Sequence, residues 1–275
     1  MRNIFNYIDR PSPIHRLTGA TKLVCLLLWS FAAMSTYDTR LLIFLALLSF
    51  VLFSVSKIRI RDVSFLLSFM AVFMVLNNVL IFAFSPQHGV TLYGTSHPLF
   101  SLGGRYVVTK EQLFYHLNLV LKYFATIPIV LLFVCTTNPS EFAASLNRVG
   151  VKYTIAYSVA LALRYIPDIQ KEYREISQAQ QARGIEMSRK QNLVKRLKSA
   201  SAILIPLILS SMDRIEVISN AMELRGFGKG KTRTWYRARR FRAADIVCMA
   251  ACALLLIAAI LDTVLRGTRY YNPFV

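Results

Sequence analysis

Carboxylates are scarce in this chain: 14 Asp and Glu stand against 33 Lys and Arg, for a formal charge of +19 over 275 residues. Histidine and cysteine are rarer, with four of each. Cys25, Cys135, Cys248 and Cys252 lie in or beside apolar runs, where a thiol behaves as a small hydrophobe, so no disulfide is expected. Cys248 and Cys252 share a helix face, but two thiols without a nearby histidine or further cysteine make no metal site. His15, His88, His97 and His116 are scattered. Only His88 and His97 share a loop where a metal ion could sit, and ordinary surface or interfacial roles are the simpler reading, so no metal is expected. H-E-x-x-H is missing, as is G-x-S-x-G between a strand and a helix, and the basic segment after residue 138 pairs no histidines with a carboxylate. No catalytic residue is therefore assigned, and Glu172, Glu175 and Glu186 read as solvated or helix-start charges. The run Gly226 to Thr232 resembles a phosphate loop but has Arg225 where G-x-x-x-x-G-K-T needs glycine, and it follows a helix instead of a strand. ATP binding by this chain is excluded.

What the chain has in abundance is apolar length. Hydrophobic residues make up 55% and aromatics 12%, with a mean hydropathy of +0.45, more than a soluble core of this size needs. Apolar runs at 23–36, 40–56, 63–84, 112–137 and 245–265 give five spans. Basic residues gather in the links between runs, as a membrane topology requires, and no nucleic-acid motif accompanies them. Arg10, Arg16 and Lys22 precede the first span, and Lys57, Arg59 and Arg61 follow the second. The expected topology has a cytoplasmic N-terminus, an external loop at 85–111, a cytoplasmic region at 138–244 and an external C-terminus. The first apolar run starts late and lacks a small-residue cleavage site, so it is expected to persist as a helix. The expected fold is all-α: a membrane domain at 1–137, a cytoplasmic domain of crossed amphipathic helices at 138–244, and a last span with a tail at 245–275.

Within that cytoplasmic domain one signature occurs twice, as Ala179-x-x-x-Arg183-Gly184-Ile185 and Ala221-x-x-x-Arg225-Gly226-Phe227. Ile166-Pro167 precedes the first copy and Ile205-Pro206 the second, so two helices are expected to open at proline and close at glycine. Thr154–Ile166 and Ala200–Met212 are each too short to span and read as buried or interfacial segments. Each alanine permits close approach by another helix, and each arginine offers a planar fork of donors at a helix C-terminus. Two matched arginines point to two equivalent partners. Ile169, Tyr173 and Ile176 in one helix, and Ile208, Met212, Ile215, Ile218 and Met222 in the other, form apolar stripes. Lys122, halfway along the fourth span, supports a different reading, a secondary transporter or channel. Against it, no second buried charge and no inverted repeat accompany Lys122, and Asn77 and Asn78 read as interhelical hydrogen-bond partners.

Ser12-Pro13-Ile14-His15-Arg16-Leu17 with Thr21-Lys22-Leu23, Asn138-Pro139-Ser140-Glu141-Phe142 with Leu146, and the two motifs at Ala182-Arg183-Gly184 and Leu224-Arg225-Gly226 together resemble the transmembrane, or T, components of energy-coupling factor transporters. That group includes the cobalt-transport-protein type, and the second motif departs from it by Leu224 in place of alanine. The resemblance implies a non-catalytic scaffold in a prokaryotic cell membrane. It would join two ATP-binding-cassette ATPases, which hold the ATP and Mg, to a small substrate-binding membrane subunit. Arg183 and Arg225 would each dock in one ATPase, and Leu207, Ile208, Met212 and Ile215 would face the substrate-binding subunit. The cargo would be a vitamin, a vitamin precursor or a transition-metal ion.

Overall fold

The computed structural model describes residues 12–103, 106–185, 193–230, 233–235 and 239–274. Arg10, Glu186, Lys231 and Thr232 lie outside them. The elements in chain order are α1 (Pro13–Arg16), α2 (Gly19–Ser35), α3 (Thr39–Val55), α4 (Ile60–Phe84), α5 (His88–Tyr93), β1 (Pro98–Gly103), β2 (Tyr106–Thr109), α6 (Lys110–Thr136), α7 (Pro139–Arg148), α8 (Tyr153–Ala182), α9 (Leu193–Leu224) and α10 (Ala243–Arg266). They form two compact units, Met1–Asn138 with Arg239–Val275, and Pro139–Ala238.

In the first unit, α4, α6 and α10 are long and apolar enough to cross a membrane, while α2 and α3 have 17 residues each, the short end of the spanning range. The core is a contact of small and large side chains: Trp29 and Ala33 of α2 against Leu45 and Ala46 of α3 and Ala125 and Ile129 of α6. Trp29 also donates its indole N–H to the Ala125 carbonyl at 2.9 Å. By contrast α4 buries only Val63 and presents its apolar surface outward, as a lipid-facing helix does.

Buried charges join the helix ends. Asp245, 1% exposed in the first turn of α10, accepts from the Thr18 N–H and the Thr21 hydroxyl at the start of α2, each at 2.8 Å, and from the Arg242 N–H at 2.8 Å. One carboxylate thus sits at the positive ends of two parallel helices. Lys22 donates to the Thr136 carbonyl at the end of α6 (2.8 Å). Lys122 donates to the Met34 carbonyl at the end of α2 (3.2 Å), with its Nζ 3.2 Å from the centre of the Tyr37 ring. Between the third and fourth spans, Asn78 of α4 bonds His116 of α6 at 2.9 Å.

At the opposite end of the unit from Asp245, α5 and the β1–β2 hairpin form a cap together with the C-terminal tail. The Tyr37 N–H donates to the Arg269 carbonyl at 2.9 Å, Arg266 pairs with Asp38 at 2.9 Å, and Asn272 donates to the Tyr93 carbonyl at 3.1 Å. Burial pushes the Tyr93 phenol up to about 12, so it remains a neutral partner for Asn118 across the pH range of interest. His97 is held by Glu111 at 2.6 Å while His88 packs edge-on against Tyr115, so the two loop histidines take separate partners.

In the second unit the expected helix starts are overturned. Neither Ile-Pro pair opens a helix: Pro167 lies inside the 30-residue α8 and Pro206 inside the 32-residue α9, so Thr154–Ile166 and Ala200–Met212 are parts of continuous helices. Proline inside a helix costs about 3 kcal/mol, partly because a carbonyl one turn earlier loses its donor. For Pro206 that carbonyl belongs to Ala202, and Gln180 of α8 supplies the missing donor from its side-chain amide at 3.3 Å. In the first unit, Pro128 of α6 frees the Phe124 carbonyl, which accepts from Ser49 of α3 at 2.9 Å. A neighbouring side chain thus replaces the bond that proline removed.

The carboxylate joining α2 to α10 is directly testable. Asp245→Asn turns an amide NH2 toward one of three converging donors and is expected to cost about 2 kcal/mol, the scale of a charge-assisted hydrogen bond. Asp245→Ala should cost more. Thermal unfolding of the detergent-purified protein reads both, and an Asn variant with an unchanged midpoint would refute the role assigned to this carboxylate.

Candidate functional site

α8 and α9 run antiparallel, and their contacts keep a nearly constant register. Phe227, just past α9, packs on Tyr153 and Tyr157 with ring centroids 5.6 and 4.8 Å away. Glu172 meets Ser210 and Arg214, and Gln180 meets Ala202. Residue numbers across the pair therefore sum to about 382 from one end to the other, which makes the helices neighbours along most of their length. Their C-termini point in opposite directions. At about 1.5 Å per residue the two arginine motifs lie on the order of 35 Å apart.

The two C-termini are built alike. In the first, the Gly184 N–H donates to Gln181 O and the Ile185 N–H to Gln180 O, each at 3.0 Å. In the second, Gly226 donates to Glu223 O at 2.8 Å and Phe227 to Met222 O at 2.9 Å. Both are Schellman caps, with glycine at φ +85° and +65° in the left-handed region that side chains disfavour. The cap accounts for the glycine and for the apolar residue after it, which the signature alone left open. It does not account for the arginines.

Arg183 and Arg225 are exposed, and among the described residues neither guanidinium has a hydrogen-bond or ion-pair partner. Arg233 donates to the Arg225 carbonyl at 2.7 Å, which secures the backbone of that cap and leaves the Arg225 side chain available. Ala179, Ala182 and Ala221 are also exposed, so the surface beside each arginine is low and open to close approach. Leu224, the residue by which the second copy departs from the first, is 90% exposed directly before Arg225 and adds an apolar surface at that end only.

The candidate contacts for a membrane partner divide. Ile208 and Met212 (60% exposed) stand outward with Ile205 and Leu209 as an uncovered apolar stripe on α9, Ile215 (65%) is exposed at the border of the inner cleft, and Leu207 is half-buried. On the inner side, Leu161, Tyr165, Arg214, Ile218, Met222 and Phe227 line a cleft of about 460 Å³ between the helices.

Glu172 is not the solvated charge expected of it. Its side chain is 17% exposed, with Arg214 at 2.9 Å on one oxygen and the Ser210 hydroxyl on the other. Glu175 does remain on the surface, 3.7 Å from Lys171. A glutamate and an arginine forty-two residues apart carry no local signal that pairs them; only the antiparallel register does.

Residues 10–236 match the family model described as cobalt transport protein, CbiQ. The chain is similar to the energy-coupling factor transporter transmembrane protein EcfT of Bacillus selenitireducens, 29% identical over 280 residues, covering 96% of this chain and 98% of that protein. It is also similar to the protein of the same name from Exiguobacterium sibiricum, 29% identical over 266 residues, 91% and 96% of the two chains. A third relative, described as an ABC transporter ATP-binding protein of Bifidobacterium longum, is 35% identical over 139 residues, 47% of this chain and 17% of that protein. With matched arginine caps on a multi-pass helical membrane protein, and a family match over most of its length, the chain belongs to the CbiQ cobalt transport protein family.

Proposed function

We propose that this chain is the transmembrane coupling subunit of an energy-coupling factor importer, a scaffold that links two ATP-binding-cassette ATPases to a small substrate-binding membrane subunit. The observation that carries this reading is the pair of guanidiniums, without a partner among the described residues, on like caps at opposite ends of one antiparallel helix pair. A guanidinium fork suits carboxylates or carbonyl ends in a partner groove. Each ATPase takes one end. The similarity of part of this chain to a protein described as an ABC transporter ATP-binding protein supports that partnership.

ATP and Mg belong to the ATPases, and this chain supplies no catalytic group. The substrate-binding subunit lies on the apolar stripe of α9 at Ile208, Met212 and Ile215, with Leu207 behind it. The cargo is a vitamin, a vitamin precursor or a transition-metal ion, recognised by that subunit. The coupling region at 138–244 and the N-terminus face the cytoplasm, with the C-terminus outside. A secondary transporter or channel would use Lys122, and that ammonium is engaged with the Met34 carbonyl and the Tyr37 ring.

Three outcomes test the proposal. Arg183→Ala with Arg225→Ala should leave the chain folded in the membrane while ATPase co-purification collapses; single changes should be milder and lysine a poor substitute. Unchanged ATPase capture by the double variant would sink the docking claim. In a background without the native cysteines, cysteines at Ser96 and Thr268 should react with an impermeant thiol reagent from outside and one at Gln178 should not. Labelling at 178 from outside reverses the topology. Finally, Lys122→Met should lower stability by about 1–3 kcal/mol, because the Met34 carbonyl loses its donor, yet leave ATPase capture intact. A variant of normal stability that passes no substrate would favour the channel reading instead.

A further inference from the structure

Between the two arginine caps the helix pair is tied at its middle. Glu172 of α8 places one carboxylate oxygen on the Ser210 hydroxyl and the other 2.9 Å from the Arg214 guanidinium, and Ser210 and Arg214 are one turn apart on α9. Arg214 in turn lies over the Tyr165 ring, 5.9 Å from its centre. The tie follows both helix-weakening prolines, five residues after Pro167 and four after Pro206.

Its placement is even in both directions. Glu172 precedes Arg183 by eleven residues, and Arg214 precedes Arg225 by eleven. The acid and the base of the pair therefore occupy equivalent positions in the two copies of the repeat, each about 16 Å along its helix from the arginine it serves. Beyond the tie, neutral contacts join the helices at the Phe227 ring on one side and at the Gln180 amide on the other. The part-buried ion pair, with one partner on each carboxylate oxygen, is a charge-assisted connection between them.

We propose that Glu172, Arg214 and Ser210 form the fulcrum of the helix pair: a set of positioning residues that fixes the two arginine ends relative to one another and carries a displacement of one end to the other. The inference rests on the docking role of Arg183 and Arg225, and adds where the two arms are joined. A tie at the centre of two equal arms converts closure of two partners into one concerted movement, because a packed and paired crossing shifts as a unit. Without it each arm pivots separately about the proline that precedes it.

The test places spin labels at Gln178 and Asn220, equivalent exposed positions five residues before each arginine, in a chain lacking the native cysteines and assembled with its ATPases in nanodiscs. The parent complex is expected to show one narrow inter-label distance that shifts when Mg-ATP replaces ADP. Glu172→Gln should broaden the distribution and abolish the shift, while ATPase subunits still co-purify and still hydrolyse ATP. Exchanging the charges, Glu172→Arg with Arg214→Glu, should restore the shift, a rescue that a general loss of folding does not allow. Ser210→Ala keeps both charges and should broaden the distribution only in part, and Lys171→Gln, on the same helix but at the surface, should do nothing. A Glu172→Gln complex with the parent distance and the parent response overturns the proposal, as does a charge exchange that fails to rescue. Failure of the parent chain to capture ATPases counts against the docking reading alone, since the width of the distance distribution in the isolated chain still reports the tie.

Discussion

Among the described residues, fully buried charge serves helix ends. Among the described residues six aspartates, glutamates and lysines are buried, and each meets a terminus of opposite sign. Asp38 caps α3, Glu111 and Glu141 lie in the first turns of α6 and α7, and Asp245 serves the starts of α2 and α10. Lys22 and Lys122 reach the last carbonyls of α6 and α2. In a lipid-surrounded core an uncompensated charge costs several kcal/mol, and the orphan N–H and C=O groups of a helix end are the one compensation every helix carries. The two lysines also set the overlap of α2 with α6. Twelve residues separate Lys22 from Met34 and fourteen separate Lys122 from Thr136, spans of about 18 and 21 Å. The half of α6 before Lys122 therefore rises past the end of α2, where it supports α5, the hairpin and the tail.

The same accounting of carbonyls explains where proline is tolerated. Phe124 and Ala202 each lose a backbone donor to a proline one turn later, and each receives one from a neighbouring helix, through Ser49 and Gln180. Proline then acts as a connector between helices: the vacated acceptor is a specific address for one side chain next door. Gln180 fills that role from within the first arginine motif, so the residue between Ala179 and Arg183 has a structural duty of its own.

Hydropathy made the membrane helices legible, because continuous apolar runs have few other uses, and the repeated arginine-glycine signature made the two helix ends legible. Pro167 and Pro206 misled, since proline at a first turn and proline inside a helix look alike until the donor that replaces the missing bond is seen in space. Glu172 misled for a related reason. On its own helix it reads as a solvated early charge, and its partner enters only through an antiparallel register that composition does not encode. Lys122 looked like a charge stranded in mid-span until the shortness of α2 brought the Met34 carbonyl to its level. Each miss involves a long-range partner, whereas the legible features, runs and caps, are local.

Two similar helices packed antiparallel possess an approximate two-fold axis, and here it passes through the contact of Glu172 with Arg214, residues that the axis would exchange. A rotation that carries Arg183 onto Arg225 also carries Gly184 onto Gly226 and Ala179 onto Ala221, so a single chain imitates a symmetric dimer over this stretch. The imitation breaks at Ala182 and Leu224, and at the tie itself, where an acid stands opposite a base. A pair of partners related by their own two-fold axis would thus meet the same guanidinium twice but a smooth surface at one end and a protruding leucine at the other, so the two ends of the helix pair are distinguishable to molecules that are themselves alike.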